Sequence, residues 1–407
     1  MKKIIDTDYL VVGAGGMGMA FVDEILTQTS ATITIVDRNH RPGGHWLDAY
    51  PFVRLHQASV CFGVNSVPIG NHAVEQVGWN KGCYELACGR SVEAYYGEVM
   101  RHHFLPTGRV TYLPMHEYKG NGVVRSTLND NEYEIQANKV VDSTYMDVTV
   151  PSQRPPKFNV EEGSVCIPPN DLPKLAPNYR SYAIVGSGKT GMDTCLFLLE
   201  HGVDPDAITW VMPNDAYYFD RFTVNPGRKF TDIITKGRAE VLNASLEADS
   251  MDDFFQRLLD CNQLIQLDDK VKPTRWRCAT VTQLELEQLR RIKNILRMGH
   301  VHSVGADGIE MEEGTSIVKP NTLFIDCSAD GLSKRPEKKV FDGNLITLQS
   351  VRMCQQVYSA GFIGNVEANF EDQDKMNRLC QPVAHPYLVE DYLRCVIEDS
   401  ENLFRWL

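Results

Sequence analysis

Three groups of residues in this chain have types and spacings that suit chemistry. The first is a G-x-G-x-x-G turn, Gly13, Ala14, Gly15, Gly16, Met17 and Gly18, between an apolar run (Tyr9–Val12) and a helical stretch. A second apolar run, 33–36, then closes on Asp37, with Arg38 after it. Gly13 permits the tight turn, Gly15 lets a pyrophosphate approach the backbone, and Gly18 lets the helix pack closely on the strand. The helix N-terminus offers free N–H groups and the positive end of its dipole to phosphates. A carboxylate closing the second strand can accept both hydroxyls of an adenosine ribose. These residues are therefore read as a dinucleotide site. The second group repeats the plan: an apolar run, 182–185, then Gly186, Gly188 and Gly191, a helix over 192–201 and a strand over 208–212. Here Lys189 and Thr190 are placed to contact phosphate. The third group is His56 and Gln57, in a dense polar and aromatic run over 48–57 that has no helix or strand period and reads as ordered loop.

The elements that must position these groups also repeat. Strands are expected over 110–113, 123–128, 133–136 and 139–142, the last ending on Asp142, Ser143 and Thr144. Residues 315–328 mirror that end with Asp326, Cys327 and Ser328. Two copies of one plan imply two related nucleotide-binding domains, the second inserted into the first. The boundaries expected are 1–150 and 326–407 for the first domain, a proline-rich extended connector over 151–180, and 181–325 for the second. Residues 213–300 read as a largely helical insertion, with helices over 251–267 and 283–297. The chain then returns through a strand-like segment, 341–349, a helix over 356–368 and an amphipathic last helix over 388–407.

Composition bounds the partners. A length of 407 residues suits two or three domains, and a net charge of −12 argues against a nucleic-acid surface. No apolar run is long enough to span a membrane. The N-terminus enters a strand directly, without the apolar region of a signal peptide. The eleven cysteines are scattered and mostly lie in apolar runs, so they read as reduced, buried thiols of a cytoplasmic protein. Cys83 and Cys88, spaced C-x-x-x-x-C ahead of a segment that reads helical, read as two buried thiols. No metal site is expected.

After Asp37 the chain carries Gly43, Gly44, His45 and Trp46. An acid ending the second strand, followed by Gly-Gly-x-Trp, resembles the FAD-binding flavoproteins with two dinucleotide-binding domains, and within them the class B flavin-dependent monooxygenases. The resemblance implies an α/β fold with two Rossmann-like (FAD/NAD(P)-binding) domains, each a parallel sheet with a β-meander. It implies that Asp37 holds the adenosine ribose of FAD and that Gly43 and Gly44 bring backbone close to it. His45, Trp46, Thr144 and Gln349, with Ser350 and Arg352, would lie on the flavin side. His56 and Gln57 would reach the flavin ring or a substrate, and the second domain would take NADPH or NADH.

Two features depart from that pattern. Met212 aligns with Asp37, where a carboxylate would favour NAD; an Arg just after the strand would favour NADP. The nearest basic candidates downstream are Arg221, Arg228 and Lys229. The family fingerprint expected between the domains is also missing, and the connector occupies its place. The leading expectation is an FAD-dependent oxidoreductase that takes reducing equivalents from NAD(P)H and oxygenates a small organic substrate. The alternatives are a flavin oxidase or dehydrogenase reduced by its own substrate, and a non-enzymatic FAD-binding sensor or assembly protein.

Overall fold

The computed structural model describes residues 3–329 and 331–407. Strand β1 (Lys3–Val12) leads into α1 (Gly16–Gln28) and β2 (Ile33–Asp37). Helix α2 (Gly89–Glu98) precedes β3 (Val110–Pro114), β4 (His116–Gly120), β5 (Val123–Ser126) and β6 (Glu132–Asp142). β1 lies between β2 and β6, parallel to both, and β3 joins parallel to β2. Every residue of β2 is buried, as expected of a central parallel strand covered on both faces. β4, β5 and β6 form the antiparallel meander. β6 is one continuous strand where two were expected, because pairing with β1 runs along its length.

The connector is not structureless. It contributes β7 (Asn159–Val160), β8 (Val165–Ile167) and a short helix, α3 (Leu172–Leu175). The second parallel sheet then forms around β9 (Ser181–Val185), α4 (Lys189–Glu200) and β10 (Ile208–Val211). β11 (Ala216–Asp220), α5 (Thr231–Glu247), α6 (Met251–Asp260), β12 (Leu264–Gln266), β13 (Arg275–Val281), α7 (Gln283–Leu289) and β14 (Asn294–Leu296) follow. The 213–300 segment is thus mixed rather than largely helical. The expected helix over 283–297 stops at Leu289, because 294–296 adds as an edge strand beside β10. Sheet pairing overrides the local helical period there. β15 (Val301–Gly305), β16 (Gly308–Met311) and β17 (Gly314–Ser316) make a small antiparallel layer with β7 at its edge. β18 (Thr322–Asp326) completes the second parallel sheet, in the order β14-β10-β9-β18-β8.

The chain then rejoins the first sheet through β19 (Phe341–Asp342) and β20 (Leu345–Thr347), the latter parallel to β6. Helix α8 (Gln356–Asn369) packs along α1, and α9 (Gln373–Leu379) and α10 (Asp391–Trp406) follow. Gly364 allows that packing, since a Cβ there would come 2.9 Å from Glu24 Cβ. No described helix is long and apolar enough to cross a membrane.

The cysteine expectation needs correction. Cys278 on β13 and Cys354 before α8 form a disulfide, with Cα atoms 6.4 Å apart, brought together across 76 residues by the tertiary fold. Cys83 and Cys88 are both free, but Cys88 is exposed rather than buried, and Ser91 holds its thiol below the ordinary range.

Candidate functional site

The two glycine turns superimpose in their hydrogen bonding. Gly13 N donates to Val36 O at 2.8 Å, and Gly186 N donates to Val211 O at 3.0 Å. A Cβ on Gly18 would overlap the Gly13 carbonyl oxygen, and one on Gly191 would overlap the Gly186 carbonyl oxygen. Helix and strand therefore meet too closely for any side chain at either position. The third strands end alike as well. Asp142 Oδ1 accepts from Thr144 N at 2.9 Å, and Asp326 Oδ1 accepts from Ser328 N at 2.9 Å. The sequence repeat thus reaches down to single turns.

At the first turn the residues converge. Asp37, at the end of β2, accepts from Ala14 N at 2.6 Å and from Asn39 N at 2.7 Å. Burial pushes its carboxyl above the usual range, against the pull of those two N–H groups. Gly43 N donates to Ala14 O at 2.9 Å, and a Cβ on Gly44 would come 3.0 Å from Gly15 Cα. The loop of Gly44, His45 and Trp46 is therefore docked on the turn, with Gly44 at φ +58. α1 begins at Gly16 with no side-chain cap and no acid in its first turn, so the first-turn N–H groups of Gly16, Met17 and Gly18 stay open to an anion. Gly16 faces Tyr96, whose hydroxyl donates to Phe62 O at 2.6 Å. Arg38 is exposed beside Asp37, and Thr144 packs against Gly13. Trp46 packs on the first core, and burial holds the His45 imidazole down to about 4.

His56 and Gln57 lie where this unit meets the rest of the chain. Gln57 Oε1 accepts from Gln355 Nε2 at 2.7 Å, which ties the loop to the N-terminus of α8. The His56 carbonyl accepts from Arg221 Nε at 2.9 Å. Desolvation, with Lys189 and Arg221 nearby, holds the His56 ring down to about 3. His56 Nδ1 and Gln356 Oε1 are buried with no hydrogen-bond partner among the described residues. Buried polar atoms are rarely left so. Gln356 begins α8, and His56 and Trp46 flank Phe62 with ring centroids 6.1 and 6.3 Å away, a polar setting that fits a ring system. Gln349 is not free for such a ring: its amide bonds both ways to the Lys338 backbone, at 2.9 Å and 3.3 Å. Arg352 is likewise taken, by an ion pair with Asp399.

At the second turn the side chains are committed to the protein. Lys189 pairs with Asp193, and Asp193 accepts from Tyr50 Oη at 2.6 Å. Tyr50 also bonds Thr190, and Phe52 stacks on Phe197 at 4.3 Å, so the 48–57 loop crosses over and locks onto α4. Gly188 itself is open, with nothing within 4 Å of a Cβ. Met212 is fully buried in the second core. Burying such a side chain is worth roughly 1.5–3 kcal/mol, which packing alone explains.

Of the three downstream basic candidates, one is committed elsewhere. Arg221 is 1% exposed and spends its guanidinium on His56 O, Asn80, Thr280 O and Glu285. Arg228 and Lys229 are exposed. A different residue stands beside Met212. Arg297 follows β14, whose Leu296 O accepts from Met212 N at 2.9 Å. Its guanidinium grips Asp215 in a fork at 2.8 and 3.1 Å. No linear motif marks Arg297; only the pairing of β14 with β10 brings it there.

This fold recurs in solved structures. The chain resembles an oxidized steroid monooxygenase bound to NADP (TM-score 0.55, 12% identity, 92% of this chain and 85% of that one). It also resembles an open form of cyclohexanone monooxygenase (TM-score 0.53, 12% identity, 89% and 88% covered). A flavin-containing monooxygenase from Stenotrophomonas maltophilia matches at TM-score 0.50, with 13% identity and 90% and 98% covered. In fold, then, the chain is of the class B flavin monooxygenase type. No family model matches its sequence. It belongs to the family of the uncharacterized proteins Rv2000 of Mycobacterium tuberculosis and Mb2023 of Mycobacterium bovis, to each of which it is 48% identical over 406 residues, covering all of this chain and 75% of the relative.

Proposed function

We propose that this protein is an FAD-dependent oxidoreductase of the monooxygenase kind, with FAD held by the first of two Rossmann-like domains. The observation that carries this reading is the convergence of Asp37, the Gly13–Gly18 turn and the docked Gly44–Trp46 loop on one open helix N-terminus. Bound FAD would supply hydride acceptance and dioxygen activation. The chain's own part is binding and orientation. Asp37 would take the ribose, Ala14 through Gly18 the pyrophosphate, and Trp46, Thr144, Gln57 and the α8 N-terminus would seat the ring. That N-terminus would favour negative charge on the ring. His56, neutral at physiological pH, can donate or accept one hydrogen bond through the free Nδ1 without bringing in charge. Gly186, Gly188 and Gly191, with Lys189 and Thr190, would hold the pyrophosphate of NADPH or NADH, and a small molecule would be oxygenated in the cytoplasm.

A second reading has its own support. Lys189 is paired, Met212 is buried and Arg297 is gripped by Asp215, so the groups that would hold a nicotinamide cofactor or tell NADPH from NADH are engaged. That favours a flavoenzyme reduced by its own organic substrate. Anaerobic flavin absorbance separates the two. Bleaching by NADPH or NADH alone supports the first reading; bleaching only by an organic substrate supports the second. Protein that takes up no FAD defeats both.

A further inference from the structure

Beyond Ser350 the chain encloses a cavity of about 280 Å³, bounded by 145–146, 332–337 and 382–391. Part of its wall is apolar, through Met146, Leu332 and Val383. The rest carries four cations, Arg277, Lys334, Arg335 and Arg394, against two acids, Glu337 and Asp391, in a chain whose net charge is −12. Three cations gather on the ring of Tyr387: Lys334 Nζ lies 3.2 Å from its centroid, and the Arg275 and Arg277 guanidinium carbons lie 4.8 and 5.3 Å from it. A ring face attracts one cation, but three around one ring repel each other.

Two of the acids nearby are engaged by other groups. Asp391 accepts from Tyr387 N and Leu388 N at 2.8 and 2.9 Å and faces Arg394, which also holds Glu398 at 2.8 Å. Asp147 is taken by Arg335 at 2.7 Å. Arg277 has partners of its own. Lys334 has no acidic partner among the described residues. Two buried nitrogens beside the same cluster, Arg275 Nε and His385 Nδ1, also lack a hydrogen-bond partner among the described residues.

We infer that this cavity binds a small organic carboxylate, its head countered by Lys334 and its apolar body against Met146, Leu332 and Val383. The inference rests on the flavoenzyme reading only in making that carboxylate the substrate; the anion site itself stands on the cavity. Its volume is just under the ~300–1,000 Å³ of typical small-molecule sites.

Calorimetric titration of the FAD-loaded protein with hexanoate, benzoate and phenylacetate, each against its primary amide, tests it. At least one acid should bind about tenfold or more tightly than its amide. Lys334→Gln should abolish that preference while Lys334→Arg keeps it, with FAD absorbance and melting temperature unchanged in both. No preference for any acid, or a preference that survives Lys334→Gln, overturns the site. Flavin absorbance of the same samples reports on FAD independently. A colourless protein that still prefers the acid would defeat the flavin reading and leave the anion site standing.

Discussion

At the first glycine turn Asp37 closes the strand and accepts from Ala14 N at 2.6 Å; the helix N-terminus carries no side-chain cap at either turn. At the second, Met212 occupies the same register but points into the core, while Lys189, Asp193 and Tyr50 join across the start of α4. The backbones of the two turns share the same strand-end hydrogen bond and the same glycine packing. What differs is where the ionisable groups go. In the first unit they converge on the turn. In the second they are spent on fastening one part of the chain to another. A nucleotide-binding backbone is therefore retained by helix–strand packing, whether or not the side chains that discriminate a ligand stay with it.

The sharpest way to break this contrast is to give the second unit the first one's acid. Met212→Asp should not create a ribose site; it should place a carboxylate in a packed core and cost several kcal/mol of stability. Thermal or urea unfolding measures it, and an unchanged midpoint with tighter NADH binding would contradict the burial argument. The reverse change, Asp37→Ala, removes the acceptor of a buried N–H. It should cost about 1–3 kcal/mol and weaken FAD binding, which equilibrium unfolding and flavin titration would both register.

Acid should expose the histidines that the loops bury. His45 and His385 are held down to about 4 and His56 to about 3, below the ordinary 6.5. The unfolded chain takes up these protons first, so their stability contribution is intact above pH 6.5 and is lost as pH falls toward 4 and then 3. Each titrating ring contributes a slope of about 1.4 kcal/mol per pH unit. His56→Gln should flatten the wild-type curve by one such share between pH 6 and 4; an equal slope in both proteins would contradict its burial as a neutral ring. The smallest effect expected concerns cofactor choice. With Arg297 held by Asp215, NADPH and NADH should bind within about a hundredfold of each other, a gap under about 2.7 kcal/mol. Asp215→Asn should loosen Arg297 and move the ratio toward NADPH by a fewfold.

Much of this was legible in sequence because the signals are local. The glycine turns, Asp37, the paired ends at Asp142 and Asp326, and helix α8 each follow from contiguous residues. Tertiary placement was not legible. Arg297 reaches Met212 only through a strand pairing, and Arg221 leaves the cofactor edge for the His56 carbonyl. Gln349 reads as a flavin-side residue but holds the Lys338 backbone. Cys278 and Cys354 are separated by 76 residues, and nothing in either neighbourhood marks the other. The mixed 213–300 segment was misread because amphipathic spacing near an open sheet edge does not reveal that the edge takes a strand.

The claim that FAD belongs to the first unit is tested most directly by matched valines at the two turns. A side chain at Gly15 would stand in the pyrophosphate path, whereas Gly188 has nothing within 4 Å of a Cβ. Flavin content per chain should be measured by absorbance after reconstitution with FAD. Wild type and Gly188→Val should carry about one FAD per chain, and Gly15→Val, folded by circular dichroism, should carry none. FAD retained by Gly15→Val, or lost from Gly188→Val, would contradict the assignment.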